Sequence, residues 1–173
     1  MTAAWHAAAA AVTAGAPAAS SVVVPLACEM LADVVTPVAA LAAWRGGDDD
    51  APAFLFESVD GGERVGRYSL LGVASSAARA ATLVLPQGGV TDPLAALEVR
   101  LRECEPLQVA GPRPRPLPPF WGGYVGFISY DAVRHFEPHT AAALAAQRPV
   151  LSLPEAEFWR VDELVAFDHA RRT

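Results

Sequence analysis

The sequence contains no lysine; its 13 basic residues are all arginine, set against 19 acidic residues for a net charge of −6. A nucleic-acid binder draws much of its affinity from a basic face that neutralises phosphates, and none can be assembled here, because even Arg113 and Arg115 stand in a proline run. Cysteine is almost absent. Cys28 and Cys104 are the only two, with no CxxC pair and no histidine cluster beside them, which excludes a zinc-finger spacing, implies no disulfide framework and fits two reduced thiols. No apolar run reaches the roughly 18 residues of a membrane span, and the alanine tract at Ala7 to Ala11 is too short and too weakly hydrophobic. The first 20 residues contain no arginine and no compact leucine-rich stretch, as neither a secretory signal nor a transit peptide would. These absences point to a cytoplasmic protein with no nucleic-acid partner and no membrane partner.

Several catalytic patterns are missing as well. Gly122, Gly123 and Gly126 fit neither the GxGxxG nor the GxxxxGK[ST] spacing of phosphate loops. Ser69 and Ser129 lie in no GxSxG elbow, and no histidine is held beside either by sequence alone. His135 and His139 are four residues apart with Glu137 between and Asp131 nearby, but Pro138 interrupts the helix that would align them on a metal, so they read as surface residues after a helix end. Asp48, Asp49 and Asp50 lack the alternating ligands and distal glutamate of a calcium loop and read as a solvated turn. His169, beside Asp168 at the end of an apolar strand, reads as a polar anchor.

What is present is a globular composition: 173 residues, 53% hydrophobic and 18% charged. This suits one domain with a real core, although much of the apolar count is alanine, which buries little area. Residues 1–21, rich in Ala, Gly, Ser and Thr, are expected to be a flexible leader, and residues 22–173 the folded domain. Val22-Val23-Val24 reads as a short strand, with a helical turn expected between Pro25 and Val34. Thr36-Pro37 is a strong helix start, because threonine caps open N–H groups while proline takes the first helical position; Val38, Leu41 and Trp44 then share a face, and Gly46-Gly47 ends the helix. Ala53 to Val59 and Glu63 to Leu71 read as a hairpin turning at Asp60-Gly61-Gly62.

Further on, Ala80 to Leu85 reads as a strand closed by Pro86 to Gly89. Asp92-Pro93 opens a helix with Leu94, Leu97 and Leu101 on one face that ends before Pro106. Residues 111–119 form a proline-dense stiff connector rather than an SH3-type ligand. Phe120 to Tyr130 alternates aromatics with small residues, as in a strand or turn where backbones approach closely. Tyr130 to Phe136 and Ala141 to Gln147 are short helices, and residues 157–160 and 164–167 are strands around a turn at Asp162-Glu163. The predicted class is α+β, mainly antiparallel sheet with flanking short helices.

Two runs are more specific than the rest. The first is Phe54-Leu55-Phe56-Glu57-Ser58-Val59, followed across Gly61-Gly62-Glu63 by Gly66-Arg67-Tyr68-Ser69-Leu70-Leu71-Gly72. The second is Gly122-Gly123-Tyr124-Val125-Gly126-Phe127-Ile128-Ser129-Tyr130-Asp131. In a strand Leu55, Glu57 and Val59 face one way and Phe56 and Ser58 the other. A free amino acid needs an acceptor for its ammonium, donors for its carboxylate and an apolar slot; the hairpin offers Glu57, Ser58, backbone groups and Arg67.

These runs, with Thr36-Pro37, Val133-Arg134-His135-Phe136-Glu137 and Phe167-Asp168-His169, resemble the N-terminal domain of the chorismate-utilising enzymes over roughly Val24 to His169. The likeness is strongest to the large subunit of anthranilate synthase, component I. The Glu-Ser pair with its Gly-Gly-Glu turn is tighter than in the aminodeoxychorismate synthase large subunit, the first alternative; a non-catalytic ligand-binding or docking module is the second. The resemblance implies a regulatory and scaffolding domain of an enzyme, a lyase, that makes anthranilate and pyruvate from chorismate and ammonia or glutamine in tryptophan biosynthesis. It implies Mg²⁺ bound by a C-terminal chorismate-binding domain that these residues do not include, no catalytic residue or cofactor of this chain's own, and a glutamine amidotransferase partner, component II. It also implies feedback inhibition by L-tryptophan at an allosteric site in which Ser58 contacts the inhibitor with Glu57 and Leu55 beside it. Phe56 stands where the family usually has leucine.

Overall fold

The computed structural model describes residues 21–23, 25–57, 66–89, 91–106, 117–146 and 152–173. Residues 1–20 of the expected 1–21 leader, Val24, Ser58, Val59, the turn at Asp60-Gly61-Gly62, the proline run as far as residue 116, and Gln147 lie outside the described residues, while Ser21 stands in a strand. In chain order the elements are β1 (Ser21–Val23), α1 (Pro37–Arg45), β2 (Ala53–Phe56), β3 (Tyr68–Val73), α2 (Ser76–Ala80), β4 (Leu83–Leu85), α3 (Pro93–Arg102) and β5 (Cys104–Pro106). These are followed by β6 (Gly123–Ile128), α4 (Val133–Phe136), α5 (Ala141–Ala145), β7 (Ala156–Val161) and β8 (Val165–Asp168). Short 3-10 turns at Tyr130–Ala132 and Pro138–Thr140 lead into α4 and α5.

Two three-stranded antiparallel sheets carry the core, ordered β2-β3-β8 and β4-β7-β6, and β1 pairs with β5 in parallel. The fold is α+β with mainly antiparallel strands and short helices, as expected. The expected hairpin is present as neighbouring strands, with Leu55 opposite Leu71 and Phe56 opposite Leu70. The two C-terminal strands also form, but not as a hairpin: β7 is the centre of one sheet and β8 an edge of the other. Residues 162–164 therefore carry the chain between sheets. This happens because β7 satisfies its backbone groups on both sides with β4 and β6, leaving no edge for β8.

The sheets meet through aromatic rings. Phe54 lies with its ring centroid 5.7 Å from that of the buried Trp159 and, edge to face, 6.3 Å from that of Phe120. Phe54, Trp159, Ala74, Ala78 and Val161 form the buried cluster, with Leu70, Phe120, Val125 and Leu164 packed against it. Burying one such ring contributes on the order of 2–3 kcal/mol. Phe54 fits because its strand partner is Gly72, where a Cβ would lie only 2.6 Å from Cε1 of the phenylalanine ring.

Local chemistry sets the helix starts. Thr36 Oγ1 accepts from the Ala39 N–H at 3.2 Å with Pro37 at the first turn, and the helix stops at Gly46. Asp92 Oδ1 accepts from the Leu94 N–H at 2.8 Å ahead of Pro93. Ser75 caps α2, a helix not expected from the sequence, by accepting from the Ala78 N–H at 3.1 Å. The expected faces are only partly used. In α1, Ala40, Leu41 and Trp44 are half-buried while Val38 is exposed; in α3, Leu94 and Leu101 are exposed and Leu97 is half-buried. Nor is there a helical turn over Pro25 to Val34, which runs irregularly. So short a segment cannot repay helix nucleation without a buried face, and its large apolar residues face outward.

The β6–β7 pairing makes a sharp demand at Gly126. A Cβ there would sit 1.9 Å from the Glu157 carbonyl oxygen, a backbone atom that cannot swing aside. Gly126→Ala is expected to destabilise the chain by about 2 kcal/mol or more through forced backbone displacement, measured as a fall in the urea midpoint. A change below about 0.5 kcal/mol, the scale of a neutral surface substitution, would show that the strands do not approach as described.

Candidate functional site

Leu55 and Glu57 lie at the outgoing end of β2, and the antiparallel register brings the start of β3 to the same end of the sheet. Asp168 closes β8 opposite Tyr68, so the end of β8 joins them. Leu55 is half-buried opposite Leu71, and Glu57, one residue past the strand, is exposed. Ser58, the residue that carried most of the sequence expectation, lies outside the described residues. The structure thus gathers Leu55, Glu57 and Arg67 at one end of one sheet.

Arg67 is anchored there. Its Nε donates to Asp168 Oδ1 at 3.0 Å and a terminal nitrogen to Oδ2 at 2.6 Å, a bidentate pair in which Asp168 is buried and Arg67 about one-third exposed. The guanidinium carbon also lies 5.0 Å from the Tyr68 ring centroid, within cation–π range. Hydrogen bonding from Arg67 pulls the Asp168 carboxyl below its ordinary range; burial opposes this, and the Arg67 charge and the Arg171 and Ala170 N–H groups reinforce it. Those amides donate to Asp168 Oδ1 at 3.3 and 3.1 Å. A bidentate arginine–carboxylate pair fixes direction as well as charge, so the Asp168 pair sets the orientation of the Arg67 guanidinium.

A second pair braces the same strands. Ser69 Oγ lies 2.7 Å from His169 Nε2, and the His169 N–H donates to the Arg67 carbonyl at 2.9 Å. His169 is a polar anchor, as the sequence suggested, and its partner is a serine a hundred positions earlier. Ser69 is 1% exposed, so its hydroxyl cannot reach a substrate, and the adjacent Asp168 carboxylate is committed to Arg67. The pair is structural, not nucleophilic.

Elsewhere, the residues weighed as metal ligands separate into two environments. His139 and Glu137 are exposed and pair at 3.4 Å, whereas His135, expected at the surface, is half-buried and bonds Glu155. Glu155 is 1% exposed and is also paired by Arg134; its Oε2 further accepts from the Gly88 N–H at 3.2 Å. Asp131 instead accepts from Gln87 Nε2 at 2.9 Å. Glu155 with these partners ties α4 to the β4–β7 end of the second sheet. A single acidic letter before a strand gave no sign of it, since even its nearest partner here, His135, lies 20 residues earlier in sequence. No group of three or more His, Cys, Asp or Glu among the described residues is placed to hold a metal ion, and no helix among them is long and apolar enough to cross a membrane.

No protein-family model matches the chain, and no solved structure matches it. Curated proteins do. The chain is 42% identical over 142 residues to probable anthranilate synthase component 1 of Schizosaccharomyces pombe, covering 82% of this chain. It is 43% identical over 150 residues to anthranilate synthase component 1 of Streptomyces coelicolor, covering 87%, and 39% identical over 122 residues to that of Saccharomyces cerevisiae, covering 70%. The matched regions make up 26%, 25% and 22% of those relatives, so the chain spans about a quarter of the length of the curated relatives it matches.

The Asp168 pair has a definite pH signature. A carboxyl whose folded pKa lies below the unfolded value of 3.8 adds stability at higher pH, and that stability is lost as pH falls through the folded pKa. Asp168→Asn is therefore expected to lower the melting temperature near neutrality, with the gap to the parent chain narrowing below about pH 4. Thermal scans across pH check this. A gap that stays constant through the acid range would mean that the carboxylate form contributes nothing.

Proposed function

The chain belongs to the anthranilate synthase component 1 family, and from that membership we propose that it forms the amino-terminal regulatory and scaffolding portion of such an enzyme. The whole enzyme would convert chorismate, with ammonia from a glutamine amidotransferase component II, to anthranilate and pyruvate in the cytoplasm. The catalytic chorismate-binding domain, with its Mg²⁺, would lie outside residues 22–173. No group of three or more His, Cys, Asp or Glu among the described residues is placed to hold that ion. The reading is carried by identities of 42% and 43% to proteins named component 1, across more than four-fifths of this chain. Each relative described above carries the name anthranilate synthase component 1, that of Schizosaccharomyces pombe as a probable one, which favours this branch over aminodeoxychorismate synthesis.

Within that role the β2–β3 end is the tryptophan feedback site. Leu55 would line the indole slot, Glu57 would accept from the ammonium, Ser58 would contact the inhibitor, and Arg67, held by Asp168, would face the carboxylate. The gathering of Leu55, Glu57 and Arg67 at one sheet end supports this arrangement. Inhibition requires tryptophan to favour one arrangement of the enzyme over another, a coupling of about 1–3 kcal/mol.

Ser58→Phe fills the space an indole would take. In an intact component 1 carrying this segment, it is expected to raise the half-inhibiting tryptophan concentration about tenfold or more, within the range such coupling spans. An anthranilate fluorescence assay against tryptophan concentration reads this directly. Unchanged inhibition would remove Ser58 from the site.

A further inference from the structure

A row of large apolar side chains stands in solvent along the irregular segment before α1. Leu26, Met30, Leu31 and Val34 are 73%, 77%, 78% and 93% exposed, and Val35 and Val38 continue the row onto the helix. The segment is held at Ala32, whose N–H donates to the Arg172 carbonyl at 2.9 Å. It is thus a strap fixed across the C-terminal turn. Exposed apolar residues scattered singly need no explanation, but a contiguous row on a folded surface marks an interaction site. Other exposed apolar residues are less open: Phe127 and Ile128 on β6 are 43% and 38% exposed, and Val99 on α3 stands between charged neighbours.

We propose that the strap, residues 25–35 with Val38, is the surface on which the remaining polypeptide of a component 1 enzyme packs. This rests on the reading above that the chain is one portion of such an enzyme. The relatives supply the occupant: about three-quarters of their length lies outside the matched region. Side chains this exposed and apolar call for an apolar groove on the surface that covers them. Seated there, it would also touch the turn after β8 that orders Asp168, and so the sheet end where Arg67 is held.

Cys28, an exposed thiol within the strap, is a built-in probe. Its modification by a maleimide, mapped by mass spectrometry, is compared between the 173-residue chain and a chimera in which this chain replaces the matched 150 residues of the Streptomyces coelicolor enzyme. Modification is expected to slow at least tenfold in the chimera. The double substitution Leu31→Glu with Val34→Glu should restore fast labelling, whereas Val99→Glu should not. Equal rates in a chimera that still makes anthranilate from chorismate and ammonia would overturn the strap assignment and leave the proposed function standing. A chimera that makes none overturns both. Sedimentation of the isolated chain as a dimer, lost on the same double substitution, would assign the strap to self-association instead.

Discussion

The packing of Phe54 between the two sheets is the contact on which the arrangement depends. Its ring sits over Gly72 on its own sheet and against Trp159 and Phe120 beyond it. Because side chains alternate along a strand, seating Phe54 in the core turns Leu55 to the other face of the sheet and, two residues on, Glu57 with it. A slip of one residue would exchange the two faces. The ring thus determines which residues of the Leu55-Phe56-Glu57 run are presented, and Gly72 is the space that allows it.

The same sheet is closed at its other edge by two polar pairs, Arg67 with Asp168 and Ser69 with His169. Each joins the beginning of β3 to the end of β8, about a hundred residues later in sequence. A bidentate ion pair with a buried carboxylate holds direction in a way that an apolar contact does not. That matters here because Arg67 sits at the sheet end where Glu57 emerges. The second sheet has its own polar fastening, in which the buried Glu155 is neutralised by Arg134 and hydrogen-bonded to His135. Leaving such a carboxylate without partners would cost several kcal/mol, so α4 and the start of β7 are obliged to stay together.

Much of this was legible in sequence where the cause is local. Thr36-Pro37 and Asp92-Pro93 announce helix starts because the capping oxygen and the proline act within a few residues. The antiparallel pairing of β2 with β3 was readable from two neighbouring apolar runs, although the strands are shorter at the turn side than expected, and the likeness to component I was readable from the ordered run of motifs around it. What escaped depends on distant partners. Strands at 156–161 and 165–168 look like a hairpin until β4 and β6 are seen to occupy both edges of the first. The pairing of His135 with the buried Glu155, and the exposure of Val38, Leu94 and Leu101, follow from tertiary neighbours that no local period encodes. The helix at Ser76–Ala80 did leave a signal, the adjacent serines at its start, but so short a run of alanines gives no amphipathic pattern to read.

The central claim is that the sheet end built by Leu55, Glu57 and Arg67 faces an amino-acid inhibitor in the assembled enzyme. A crystal structure of an intact component 1 carrying this segment, grown with L-tryptophan, tests it most directly. The account predicts the indole beside Leu55, the ammonium within hydrogen-bond reach of Glu57 and the carboxylate on the Arg67 side. Tryptophan bound elsewhere, with this end of the sheet covered by protein, would contradict it.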